Sequence, residues 1–202
     1  MKSQRDTWDK LYGAGLEWKR ASNGIFNVRN KSVLELGVGN GKTLKAIIEK
    51  HPKNAVAIDI SEEAISKCKA SIESKKVAYI AKDFLKYKTK DKFDTIVCYY
   101  FLNNFKEKDR IKVVNRIKSL LKKDGIILFE DFAIGDYRQK GKEIEINTIE
   151  KENGLICHFF DKNELKELFN EFDIEIQEKT FEPIRNSSDI KRHIINAIIR
   201  IR

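Results

Sequence analysis

Between Ser32 and Phe132, short apolar runs alternate with stretches whose apolar residues recur every three or four positions. SVLELG (32–37) has strand length, and the segment after it puts Leu44, Ile47 and Ile48 on one helical face. NAVAIDI (54–60) predicts a second strand, followed by a helix in SEEAISKCKASIES (61–74). In that helix Ile65, Cys68 and Ile72 form the buried stripe, while Ser61, Glu62 and Glu63 suit its positive N-terminal end. KVAYIA (76–81), FDTIVCYY (93–100) and GIILFED (125–131) predict three further strands. Before the last of them, the spacing predicts a helix over 106–121 that buries Ile111, Val114, Ile117 and Leu121. Alternation of this kind predicts an α/β fold, a doubly wound Rossmann-like sheet with helices on both faces.

The rhythm changes after Phe132. Residues 133–160 are polar and punctuated by glycine, and they read as an insertion on the substrate side. A helix capped by Asp161 follows, then two strands in FDIEIQEKTFEPI (172–184) and HIINAIIRI (193–201). The expected sheet has about seven strands, mostly parallel, with an antiparallel C-terminal strand. Residues 1–30 read as an N-terminal helix and lid, and the whole of 1–202 as one domain.

VLELGVGNGKT (33–43) is the first stretch with chemistry in it. A phosphate-binding loop needs glycine, four residues, then Gly-Lys-Thr. Leu36 stands where that first glycine belongs, and Gly37 leaves the loop one residue short. Lys42 is therefore expected on a helix surface, without a catalytic role. A dinucleotide turn, G-x-G-x-x-G, fails at Lys42 as well. The pattern present is an acid two residues ahead of G-x-G-x-G: Glu35, Gly37, Gly39, Gly41. In this the chain resembles the class I S-adenosylmethionine methyltransferases. Asp59 at the end of the second strand and Asp83 after the third strengthen the resemblance, since acids recur there in order. The resemblance implies S-adenosyl-L-methionine as cofactor, with Asp59 at the ribose hydroxyls and Asp83 at the adenine amino group. Ile60, Phe84, Tyr99, Tyr12 and Trp8 complete the expected cofactor set. Glu35 suits a ligand that carries an ammonium and a sulfonium and would repel a pyrophosphate.

Acceptor chemistry is expected where the fourth and fifth strands end, at CYYFLNNF and FEDFAIGD. The catalytic candidates there are Asp131, Tyr100 and Asn103. TWDKLY (7–12) is similar to the opening of the transfer-RNA 3-methylcytidine methyltransferases. So are Asp131, Asp136, Arg138, Lys140, Gly141, Phe159 and Phe160 in the stretch from LFEDF to CHFF. The likeness implies an RNA acceptor, with Asp131 facing the base and Arg138, Lys140, Arg185 and Arg192 on the phosphates. Two positions depart from that family: Val38 stands in place of a cysteine and Glu130 in place of an arginine. A small-molecule acceptor and a non-catalytic partner role remain alternatives, and a helper protein is compatible with either.

Charge adds one hint. Forty Lys+Arg against 31 Asp+Glu give a formal net charge of +9, which attracts phosphate backbones without choosing a sequence. MKSQRDTWDK lacks the apolar core of a signal peptide, and no run reaches the length of a membrane span, so a cytoplasmic, membrane-free protein is expected. The three cysteines and three histidines are scattered, which predicts reduced thiols and no metal site.

Overall fold

The five apolar runs between Ser32 and Phe132 fold as parallel strands, because each is joined to the next by a crossover that packs on the sheet. They are β1 (Ser32–Leu36), β2 (Asn54–Asp59), β3 (Val77–Ala81), β4 (Phe93–Tyr99) and β5 (Leu121–Phe132). The computed structural model describes residues 3–17, 27–182 and 190–202. Beyond β5 come β6 (Lys142–Glu145), β7 (Thr148–Glu150), β8 (Ile156–His158), β9 (Phe172–Phe181) and β10 (Arg192–Ile201). The large sheet has seven strands in the order β3-β2-β1-β4-β5-β10-β9, and β10 runs antiparallel to both of its neighbours. This is the expected doubly wound architecture. The three short strands of the 133–160 region form a separate antiparallel sheet, β6-β7-β8. Its strands are too short and too polar to register as an alternating pattern in the sequence.

Helices α1 (Gln4–Gly13), α2 (Lys42–Ile48), α3 (Glu62–Ser71), α4 (Glu107–Leu120) and α5 (Lys162–Leu168) accompany the strands. Successive residues of a strand face opposite sides, so the sheet has two cores. One side joins Leu34, Leu36, Ile96 and Phe129 to Ile117 of α4 and Leu165 of α5. The other joins Val33, Val97 and Leu128 to Leu44 and Ile47 of α2 and to Ile65 and Cys68 of α3. Each fully buried aliphatic or aromatic side chain contributes roughly 1.5–3 kcal/mol before the entropy of ordering is subtracted. The Ser61 hydroxyl accepts from the Ala64 N–H at 3.0 Å and caps α3, as its sequence position predicts. All three cysteines are buried free thiols.

Val114, Ile117 and Leu121 are buried as expected, but the first position of the expected face of α4 is not. Ile111 is 48% exposed, and Arg110 is buried in its stead. The Arg110 guanidinium donates to the Phe105 carbonyl at 2.8 Å, pairs with Glu164 at 3.3 Å and lies over the Phe160 ring. Glu164 in turn meets His158 Nε2 at 2.8 Å, while His158 Nδ1 lies 2.7 Å from the Thr148 hydroxyl. A charged side chain therefore knits α4 and α5 to the small sheet, a role that a hydrophobic count assigns to its neighbour. Among the described residues, no helix is long and apolar enough to cross a membrane.

Candidate active site

Strand order reverses between β1 and β4, so the connections leaving their C-terminal ends diverge and open a crevice. The turn after β1 lines it. Gly37 and Val38 donate their N–H groups to the Ile58 carbonyl at 2.8 and 3.1 Å, folding the turn back over β2. Gly41 has φ +84°, and a Cβ there would stand 2.6 Å from Cys68 Sγ and 2.9 Å from Ile72 Cδ1. The third glycine thus lets α2 start directly above α3. A Cβ on Gly37, at φ +68°, would meet Phe101 Cδ2 at 2.9 Å.

Glu35 and Asp59 sit beneath this turn. Asp59 Oδ2 accepts from the Gly39 N–H at 2.9 Å, and Oδ1 from the Ser61 N–H at 3.0 Å. Burial raises its pKa against the lowering effect of those backbone donors. Half-buried Ile60 follows it. Glu35 is 4% exposed, and its Oε2 is buried with no hydrogen-bond partner among the described residues. Burial pushes its carboxyl well above the usual range, Asp59 pushes it further, and Lys42 opposes them. Lys42 does not stand on a solvated helix surface, as its sequence context suggests. It is half-buried at the first position of α2, where burial lowers its pKa while Glu130 and Glu35 raise it.

Asp83 opens a 3₁₀ turn and accepts from the Leu85 N–H at 3.0 Å. Phe84 beside it is buried and meets Phe101 edge-on at 5.9 Å. On the other flank, α1 docks on the N-terminal end of α3. Asp9 accepts from the Ser61 hydroxyl at 2.6 Å and the Glu63 N–H at 3.2 Å, and Lys67 reaches the Tyr12 carbonyl. Tyr12 is buried, with the Trp8 ring 6.0 Å away.

At the ends of β4 and β5 the structure separates residues that the sequence placed together. Asp131 does not face the crevice. It is wholly buried, and its oxygens accept from the Asn103 and Phe132 N–H groups, each at 3.0 Å. Its side shares the Phe129 core, so it anchors the 102–104 turn from behind. Asn103 is buried there too, with Oδ1 unpartnered among the described residues. Glu130 takes the opposite side, that of Leu128. It is paired in register with Tyr99, and its carbonyl accepts the Tyr100 N–H at 2.7 Å. Tyr100 holds a positive φ of 51° and hydrogen-bonds the Glu130 carboxyl through its side chain. Burial and Glu130 push the hydroxyls of both Tyr99 and Tyr100 upward. In the sequence Glu130 stands out only as a departure from a family pattern. The available signal was its parity with Leu128.

Beside this pair the Phe132 ring lies 5.1 Å from Tyr100 and carries the Arg138 guanidinium at 5.3 Å. One Arg138 nitrogen, Nη1, is buried without a partner among the described residues. Arg192, expected on phosphate, is committed internally: its Nε meets Asp136 Oδ2 at 2.8 Å, and that carboxyl is fully buried. Desolvation explains the pairing, because a carboxylate in that position requires a cation. Lys140 is exposed. Arg185 lies outside the described residues.

The "Methyltransferase domain" family description matches residues 14–179, and the chain belongs to that family. It is 30% identical over 124 residues to an uncharacterized methyltransferase, GWCH70_2477, of Geobacillus sp. (strain WCH70), covering 61% of this chain and 57% of that protein. It is 27% identical over 157 residues to the tRNA N(3)-cytidine methyltransferase METTL2 of Danio rerio, covering 71% of this chain and 44% of that protein. The chain thus spans about half the length of these two relatives. A solved SAM-dependent methyltransferase from Anabaena variabilis superimposes with a TM-score of 0.70 at 15% identity, covering 98% of this chain and 93% of that one. At that identity the likeness is one of fold.

Proposed function

We propose that this methyltransferase takes its methyl group from S-adenosylmethionine and delivers it to a base in RNA, a transfer RNA in the first instance. The observation that carries the donor assignment is the buried Glu35 Oε2, which has no hydrogen-bond partner among the described residues, under a glycine turn. A carboxyl so placed is costly unless a ligand supplies a donor or a cation, and the ammonium of this cofactor supplies both. The residues fit the group. Glu35 would meet the ammonium, Gly37, Gly39 and Gly41 would let the backbone pass close to it, and Asp59 would take the ribose hydroxyls. Asp83 and Phe84 would flank the adenine, with Ile60, Tyr99, Tyr12 and Trp8 closing the sides. When bound, the cofactor supplies a methyl group on a sulfonium, already activated for displacement.

The chain's own work is alignment and exclusion of water. Asp131 holds the 102–104 turn through the Asn103 N–H, and Tyr100 and Phe132 form an aromatic wall at the acceptor end. A planar base stacks on such a wall, and the adjoining Arg138, with Lys140 beyond it, suits the phosphates of the same strand. The kinship with a transfer-RNA methyltransferase and the net charge of +9 support the same acceptor.

Incubation with labelled S-adenosylmethionine, unmodified total transfer RNA and a small-metabolite extract, followed by nucleoside and metabolite analysis, tests both parts. Label in a methylated base is the expected result. Label in small metabolites with none in RNA would overturn the acceptor and leave the donor standing.

A further inference from the structure

The crevice holds more acid than base. Glu35, Asp59 and Glu130 face it, against the half-buried Lys42. The other cations near Glu130 are Lys179, which is exposed, and Arg192, which is tied to Asp136. Glu130 is 5% exposed; burial raises its pKa, while the hydrogen bond from the Tyr100 side chain and the charges of Lys179, Lys42 and Arg192 lower it, so the carboxyl is held at the site and poorly screened by water. Register fixes where it stands. Glu35 pairs with Val97, Val97 with Leu128, and Glu130 lies two residues beyond on the same side. Two strand spacings and two residue rises separate the two acids by roughly 12 Å. A ligand whose ammonium meets Glu35 and whose reactive end points toward β4 and β5 therefore brings that end within about 10 Å of Glu130.

We propose that Glu130 is a specificity-determining residue that makes the site distinguish by charge between the sulfonium donor and the neutral thioether left after transfer. The proposal rests on the donor reading above. Outside that chemistry the donor and S-adenosylhomocysteine differ by one methyl group and one positive charge. An acid at the reactive end favours the cation and gives the product a reason to leave. Lys42 sets the limit of the preference, because it neutralises part of the same field.

Calorimetric titration of S-adenosylmethionine and S-adenosylhomocysteine into the wild type, Glu130→Gln and Lys42→Met needs no acceptor. The expected result is a wild-type preference for the sulfonium that falls about fifteenfold in Glu130→Gln, the effect of one charge at about 10 Å in an effective dielectric of about 20. In Lys42→Met the preference should rise instead. A purely structural role for Glu130 would weaken both ligands alike. An affinity ratio unchanged in Glu130→Gln, or moved in the same direction by both variants, overturns the proposal. Failure of the wild type to bind either ligand overturns the donor reading itself.

Discussion

Glu130 and Asp131 are consecutive in β5, yet their carboxyls lie on opposite sides of the sheet. One takes a hydrogen bond from Tyr100 at the crevice, and the other accepts the Asn103 and Phe132 N–H groups in the core. The two acids therefore answer differently to substitution. Asp131→Asn keeps the shape but replaces one accepting oxygen with a donor facing N–H groups, so it should cost about 1–3 kcal/mol at acid pH.

The same residue makes stability depend on pH. Burial holds the Asp131 pKa well above its ordinary 3.8, with two backbone donors opposing. For an acid with a raised folded-state pKa, the contribution to stability is full below the unfolded value. It is lost as pH rises through the raised one. The advantage of the wild type over Asp131→Asn should accordingly shrink from about pH 4 upward, by at most about 1.4 kcal/mol per pH unit. Urea unfolding of both proteins across that range checks it, and an advantage that widens with pH refutes the assignment.

Asp59 is expected to have two effects. Its carboxyl holds the glycine turn through Gly39 and the start of α3 through Ser61. Asp59→Ala should lower stability by about 1–3 kcal/mol and weaken S-adenosylmethionine binding by about 1.5–3 kcal/mol. Thermal melts and calorimetry measure the two separately. Unchanged affinity in a folded variant removes Asp59 from the cofactor set.

Gly41→Ala should be among the more damaging small substitutions. It places a Cβ 2.6 Å from Cys68 Sγ and forces a side chain into φ +84°. Overpacking and backbone strain together should cost about 2–4 kcal/mol, read as a lowered midpoint in denaturant. Gly41→Ala combined with Cys68→Ala should recover part of the loss, because one of the two clashing atoms is gone.

On α4, the adjacent pair Arg110 and Ile111 inverts the usual ranking. Ile111→Ala should change stability by less than about 0.5 kcal/mol, since the side chain is half exposed. Arg110→Ala should cost about 2–4 kcal/mol, less than a wholly buried pair because Glu164 keeps 28% of its surface exposed. Equal effects of the two variants would show that the helix face is assigned wrongly.

The sheet was legible in the chain because burial on both sides leaves near-continuous apolar runs, and crossover helices leave a 3.6-residue period between them. The mostly parallel sheet and its antiparallel C-terminal strand were expected from those two facts and the handedness of crossovers, whereas strand order and register came only with the tertiary structure. The acids at successive strand ends were legible too, since Glu35, Asp59 and Asp83 each stand within two residues of the end of an apolar run. A one-residue question was not. Whether Glu130 or Asp131 meets the crevice depends on which side of β5 the 102–104 turn packs against, and alternation gives parity without saying which parity is open. Arg110 over Ile111 was decided by Glu164 and Phe160, fifty residues away, and Arg192 was claimed by Asp136 across the insertion. Local sequence determined which segments are strands, helices and turns. Only tertiary packing decided which of their charged groups are spent inside the protein and which remain for a ligand, because a buried charge takes whatever partner the fold brings near it.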